Sequence, residues 1–70
     1  MFIKFQVGAS EENLILVNLD NISYISVEFN ADEEYDELVI KGPDEEEASS
    51  WVLEAEEAEK IKEQLKMIGV

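Results

Sequence analysis

A single amphipathic stripe near the C-terminus constrains the fold more than any other feature of the sequence. The stripe repeats at spacings of three and four residues and consists of Ala58, Ile61, Leu65 and Ile68. This spacing predicts a helix from Ala55 to Met67 with one apolar face. Nothing else in the chain predicts a helix, so this face has only β-strands to pack against. We therefore expect an α+β fold with one C-terminal amphipathic helix.

Five segments before the helix have the composition or the alternation of β-strands. They are Phe2–Val7, Leu14–Leu19, Ile22–Phe29, Leu38–Lys41 and Ser50–Leu53. The short connections at Gly8–Asn13 and Asp20-Asn21 favour antiparallel hairpins. We predict a curled antiparallel sheet of four to five strands, in the order β-β-β-β-β-α. The length predicts one domain over residues 1–70.

The alternation also predicts which side chains point inward. Those expected in the core are Phe5, Ile25, Val27, Phe29, Leu38, Ile40, Trp51 and Leu53. Three residues of the third segment should point outward, namely Tyr24, Ser26 and Glu28. The second segment is apolar on both faces except at Asn18, which predicts a central strand. No Ser, Thr, Asp or Asn precedes the helix to cap its start.

The chain is strongly acidic. Eighteen Asp and Glu residues stand against five Lys, with no Arg or His, and the formal net charge is −13. Nine of these acids lie between Asp32 and Glu47, with only Lys41 among them. Nucleic acids and anionic membranes repel such a chain, so we expect neither as a direct partner. The chain has no apolar run of membrane-spanning length and no signal-peptide pattern, which favours a cytoplasmic protein.

Catalysis and metal binding lack their usual residues. The absence of Cys and His removes the common nucleophile–base pairs and most transition-metal sites. The acids of residues 32–37 or 44–47 could bind calcium weakly, but neither segment has the pattern of a calcium loop. We therefore predict a protein that is not an enzyme and that has no cofactor and no specific metal site.

We interpret the acidic segment as a surface for a protein partner. It reads as two loops on either side of the strand Leu38–Lys41, about 14 Å apart at ~3.4 Å per residue. The candidate residues are Asp32, Glu33, Glu34, Tyr35, Asp36, Glu37, Asp44, Glu45, Glu46 and Glu47. Glu11, Glu12 and Glu28 could extend the pattern. An exposed Tyr35 among carboxylates would suit an arginine of the partner.

Such a carboxylate array can imitate nucleic-acid phosphates toward a basic, Lys/Arg-rich protein. The acidity and size of the chain resemble those of small phage-type DNA-mimic inhibitors. Two other interpretations stay open. The acids could serve solubility alone, or the chain could be a regulatory or adaptor module of a bacterial cytosolic complex that uses its sheet edge or an apolar surface. The oligomeric state is also open, a homodimer included.

Two segments resemble known families of small strand-rich domains. Residues Val17 to Ile25, V-N-L-D-N-I-S-Y-I, are similar to the second-hairpin segment of bacterial flagellar FlbD-like proteins. Residues Trp51 to Ile61, W-V-L-E-A-E-E-A-E-K-I, resemble the last strand and C-terminal helix of pleckstrin-homology-like domains. These resemblances imply a strand-rich fold that closes with a helix, and they imply no ligand. The chain is too short for a full pleckstrin-homology barrel and lacks its basic pocket.

Overall fold

The fold consists of five strands and one C-terminal helix. The computed structural model describes residues 1–8 and 13–69. In that part of the chain the elements are β1 (Phe2–Gln6), β2 (Leu14–Asn18), β3 (Tyr24–Asn30), β4 (Tyr35–Lys41), β5 (Ser49–Leu53) and α1 (Ala55–Met67). A short 3-10 turn, Leu19–Asn21, connects β2 to β3. The α+β class and both ends of the helix are confirmed. Most of the predicted turn Gly8–Asn13, with Glu11 and Glu12, lies outside the described residues.

The strands form two antiparallel sheets, not the single curled sheet that we predicted. One sheet contains β1 and β2, and the other contains β3, β4 and β5 in that order. The prediction of a central β2 is wrong, because β1 is its only strand partner among the described residues. Leu14 and Leu16 suggested a central strand, yet they are 53% and 61% exposed. An apolar run indicates a strand but does not say how many neighbours the strand has.

Both sheets direct one face toward a shared core. In the first sheet Phe5 lies opposite Ile15. In the second sheet Leu38 lies between Val27 and Trp51. The buried core residues are Phe5, Val7, Val17, Ile25, Leu38, Ile40, Leu53, Ala58, Ile61 and Leu65. Val27 and Trp51 are half-buried and pack at the margin of this core, so most of the predicted core is confirmed.

Phe29 is the clear exception to the predicted core. Its side chain is 64% exposed, although the alternation of β3 placed it inward. The second half of α1 lies beside the first half of β3, where Lys62 and Leu65 line one groove with Ile25 and Val27. Phe29 lies two residues farther along β3, past the part of the strand that the helix covers. The prediction is therefore wrong, because alternation shows which face of a strand a side chain lies on but not how far the helix covers that face.

Helix α1 begins with a pair of glutamates that replace the usual cap. A carboxylate oxygen of Glu57 accepts the backbone N–H of Glu54 at 3.0 Å, as in a capping box. This contact satisfies a backbone group that the helix itself leaves unpaired. The predicted stripe is confirmed, because Ala58, Ile61 and Leu65 are buried. Within residues 1–8 and 13–69, no helix is long and apolar enough to cross a membrane.

Shortening Ile61 tests whether the helix stripe completes the core. Ile61 is 1% exposed, so Ile61→Val should leave a small cavity and lower the free energy of unfolding by about 1 kcal/mol. Urea denaturation measures this change. Leu16→Val is the matched control, because its side chain is exposed and its effect should stay within about 0.5 kcal/mol. Equal effects of the two substitutions would contradict this description of the core.

Candidate functional site

A four-residue turn closes the β3–β4 hairpin and carries three exposed acids. We call residues 31–34 the acidic turn. Asn30 fixes its shape, because its side-chain oxygen accepts the backbone N–H groups of Asp32 and Glu33, each at 3.1 Å. The Asn30 carbonyl oxygen also accepts the N–H of Glu34 at 2.8 Å. Asn is well suited to such local bonds. The backbone of the turn is thus held in place while its three carboxylates extend into solvent.

Glu34 occupies a backbone conformation that side chains other than glycine rarely adopt. Its φ angle is +59°, and it is the one non-glycine residue with positive φ in the described part of the chain. The left-handed region costs an L-residue about 1–2 kcal/mol, and glycine avoids that cost. The chain therefore has a carboxylate at a position where glycine would be less strained.

The solvent side of β3 and β4 continues the negative surface. We call this side the outer sheet face. Glu28 on β3 lies directly opposite Glu37 on β4, and two like charges in that relation destabilise a sheet. The Tyr24 hydroxyl donates to Glu28 Oε2 at 2.8 Å, and the Ser26 hydroxyl lies 2.8 Å from the same oxygen. These donors offset part of the repulsion.

The hydrogen bonds around Glu28 also shift its titration. The bond from Tyr24, followed by that from Ser26, lowers the pKa of Glu28 below its ordinary value. A lowered carboxyl pKa means that the folded state favours the charged form. Glu28 is therefore kept negative on an exposed surface.

Glu37 is held from the opposite direction. Asn30 Nδ2 donates to Glu37 Oε1 at 3.2 Å. A hydrogen bond to the Glu37 carboxylate raises the pKa of the Tyr35 hydroxyl, and burial and the nearby negative charges raise it further. Because Asn30 also shapes the acidic turn, one side chain connects the turn to the outer sheet face. The donors of Glu28 and Glu37 lie toward opposite ends of the strands.

The predicted first loop is shorter than we expected. Tyr35, Asp36 and Glu37 belong to β4 and are half-buried, so their assignment to a loop is wrong. Asp36 is paired with Phe29 and Leu53, on the side of the sheet opposite to Tyr35 and Glu37. A polar segment without apolar alternation indicates a loop. These residues nevertheless form a strand, because they pair with β3. Asp32, Glu33 and Glu34 do lie in a turn.

The second acidic segment lies at the other end of β4. Asp44, Glu45, Glu46 and Glu47 are all exposed. One carboxylate oxygen of Glu45 accepts the N–H of Gly42 at 3.2 Å. Because β4 has seven residues, about 24 Å separate this segment from the acidic turn at ~3.4 Å per residue. Our distance of 14 Å is therefore too short, and the ten candidate residues form two groups toward the two ends of β4.

Glu28 lies outside the ten candidate residues, although the sequence indicated that it could extend their pattern. The alternation of β3 already placed Tyr24, Ser26 and Glu28 on one face, which the structure confirms. What the sequence could not show is the register that places Glu28 beside Glu37. That register depends on where the acidic turn begins. The start of the turn could not be predicted, because the first residues of β4 are polar like the turn itself.

The acids of residues 32–47 make no ion pair with a lysine in the described part of the chain. An exposed ion pair does connect Glu59 and Lys62 on α1. Across the described ranges, no three acidic side chains come close enough to hold a metal ion. A separate open groove of about 480 Å³ lies between the β1–β2 hairpin and β5, and Leu14, Ile15 and Trp51 contribute to its uncharged lining.

Comparisons with protein-family models, with curated proteins and with solved structures gave no match for this chain. The resemblances to FlbD-like and pleckstrin-homology-like domains therefore stay predictions.

Replacing Glu34 with glycine should stabilise the protein. Relief of the left-handed strain exceeds the added flexibility of the unfolded chain, so Glu34→Gly should raise the free energy of unfolding by about 0.5–1 kcal/mol. Urea denaturation measures the change. Glu33→Gly is the control, since Glu33 has no positive φ to relieve, and it should be neutral or destabilising. A destabilised Glu34→Gly variant would contradict the assigned strain.

Removing the Tyr24 hydroxyl should raise the pKa of Glu28 toward its ordinary value. The lowered pKa adds stability above the unfolded-state pKa, and this stability is lost as the pH falls through the folded-state pKa. Tyr24→Phe should therefore weaken the acid dependence of stability that Glu28 contributes. Carboxyl chemical shifts of Glu28 followed by NMR between pH 2 and 7 measure the pKa. Tyr35→Phe should leave the Glu28 titration in place, and an unchanged titration in Tyr24→Phe would contradict the assignment.

Proposed function

We propose that this protein is a non-enzymatic binding protein that presents its acidic turn and outer sheet face to a basic, Lys/Arg-rich protein surface. In this role it acts as an inhibitor that occupies a surface made for nucleic acid. The observation that carries the proposal is the acidic turn, whose exposed carboxylates extend from a backbone held by Asn30. Glu34 strengthens it, because a strained position that suits glycine carries a negative charge instead.

The acidic turn is pre-organised for charge recognition. Its backbone is fixed before a partner arrives, so binding orders only side chains and loses less conformational entropy. Asp32 and Glu33 have no lysine partner to give up within the described residues. Both carboxylates are already exposed, so no buried charge has to reach the surface before an arginine can pair with them. These conditions favour an acceptor surface for several cationic side chains at once.

The outer sheet face supplies the neighbouring charges. Glu28 is held in its charged form by Tyr24 and Ser26, and Glu37 is oriented by Asn30. Arginine donates through a planar fork and also stacks on aromatic rings. Tyr24 is 47% exposed beside Glu28, so this face offers a ring and a carboxylate together.

The second acidic segment, Asp44 to Glu47, extends the negative field along the molecule. A partner has to be basic over about 24 Å to contact both ends of β4. Nucleic-acid-binding grooves satisfy this condition, because a DNA duplex carries one negative charge per ~1.7 Å of its axis. Charge of one sign over such a length also accelerates the encounter with a basic partner.

Charge reversal in the acidic turn tests the proposal. The double variant Asp32→Lys with Glu33→Lys should weaken binding of a nona-arginine peptide at least about tenfold, because two attractions become repulsions. The matched control reverses Glu59 and Glu63 on α1, which changes the net charge by the same amount. Isothermal titration calorimetry at about 50 mM and 300 mM NaCl measures both affinities. Circular dichroism confirms that each variant is folded.

The control separates a defined surface from net charge alone. An equal loss in the two double variants would show that the peptide responds to overall charge, and this result would overturn the proposal. Affinity should also fall steeply between the two salt concentrations, because salt screens exposed charges. Binding that does not depend on salt would favour an adaptor that uses an apolar surface.

A further inference from the structure

The free edge of β2 has backbone groups that point away from β1. The β1–β2 ladder has Val7 N–H donating to the Asn13 carbonyl at one end and Leu19 N–H donating to the Met1 carbonyl at the other. Antiparallel pairs alternate between bonded and non-bonded residues. The odd-numbered residues of β2 therefore bond to β1, and the N–H and C=O groups of Leu14, Leu16 and Asn18 point to the other side. No strand of the described chain pairs with that side.

The other edge of the same hairpin is covered. Gln64 on α1 donates its side-chain N–H to the backbone carbonyl of Lys4 on β1 at 3.1 Å. Helix α1 therefore lies along the β1 edge of the hairpin. Among the described residues no backbone group bonds to the outer side of β2, so this is the edge that another strand can approach.

This edge has none of the features that normally prevent strand pairing. Edge strands in soluble proteins usually carry charged residues, proline or a bulge. The β2 sequence Leu-Ile-Leu-Val-Asn has neither charge nor proline, in a chain in which 33% of the residues are charged. Leu14 and Leu16 remain 53% and 61% exposed beside the free edge.

We propose that β2 pairs with β2 of a second copy of this chain. The two strands run antiparallel about a two-fold axis at Leu16, and the two hairpins form one four-stranded sheet. Leu16 then lies opposite Leu16 of the second copy, and Leu14 lies opposite Asn18 of the second copy. These are the residues whose backbone groups point outward, so the three pairs exchange about six hydrogen bonds. The strand is therefore complementary to itself.

The charges favour a neutral strand, and β2 of a second copy is such a strand. A basic segment would find no carboxylate on β2 and would meet Lys4, which lies opposite Leu16 on β1. An acidic segment would bring carboxylates to the edge of a chain of net charge −13, whereas β2 of a second copy brings none to the paired strands. In the paired sheet the two Lys4 residues are three strand spacings apart, about 14 Å, which exceeds the Debye length of ~10 Å at 0.1 M salt. A neutral strand can therefore pair with β2 without repulsion from Lys4 and without bringing further carboxylates to this edge.

The dimer should be weak and should depend on concentration. A five-residue edge buries less than the ~1,200 Å² of a standard interface, and the two acidic copies repel each other. Analytical ultracentrifugation from about 10 to 500 µM should show a monomer–dimer equilibrium that shifts toward dimer as NaCl is raised. Binding to a basic partner has the opposite salt dependence, so this proposal and the proposed function can fail independently. A monomer at all of these concentrations at both low and high salt would overturn the dimer.

Two substitutions at Leu16 test the pairing itself. Leu16→Pro removes the outward N–H but none of the β1–β2 hydrogen bonds, and it should abolish dimerisation. Leu16→Lys places a charge on the edge without a proline and should do the same while the fold, checked by circular dichroism, survives. Val52→Lys is the matched control, because Val52 is 53% exposed on β5, and it should still dimerise. A dimer that withstands both Leu16 substitutions would overturn the assigned edge.

A single introduced cysteine provides a positive test. The chain has no cysteine of its own, and residues that exchange hydrogen bonds across antiparallel strands have Cα atoms about 5.5 Å apart, within reach of a disulfide. Leu16→Cys should form a covalent dimer with oxidised glutathione as the oxidant. Val52→Cys should stay monomeric on a non-reducing gel. Equal cross-linking of the two variants would overturn the proposed register.

Discussion

The structure depends on the burial of one helix face against two sheets. Ile61 is almost fully buried, as are Phe5 from the first sheet and Leu38 from the second. A chain of 70 residues has room for one small core, so neither sheet can satisfy its apolar face without the helix. The same arrangement leaves the far side of each sheet to solvent. The uncovered side of the β3–β4–β5 sheet carries the acidic surface, and the uncovered side of the β1–β2 hairpin carries the exposed apolar residues of β2.

The parts of the fold that depend on local pattern could be predicted from the sequence. The helix follows directly from the spacing of its stripe, and the inward positions of Leu38 and Ile40 follow from alternation. The division into two sheets could not be predicted in this way, because it depends on partners that are distant in sequence. Phe29 shows the same limit, since its exposure depends on how far α1 extends over β3.

The candidate site was predictable in composition but not in arrangement. Asp32 and Glu33 are exposed in a turn, as the acid-rich sequence indicated. The hydrogen bonds by which Asn30 holds the turn could not be predicted. An Asn before an acidic segment does not show which backbone groups its side chain will bond. The pairing of Glu28 with Glu37 depends on a register set by that turn. The acids between Glu28 and Glu47 are thus distributed over one turn, two paired strands and one distant loop.

The placement of Phe5 has a consequence for the order of folding during synthesis. The β1–β2 hairpin is synthesised before the helix, but a two-stranded hairpin alone is at best marginally stable in water. Its apolar side is completed only when Ile61 and Leu65 on the last helix reach it, since all of them share one core. Folding of the hairpin therefore waits until α1 has been synthesised, and the uncharged strand β2 stays exposed until then.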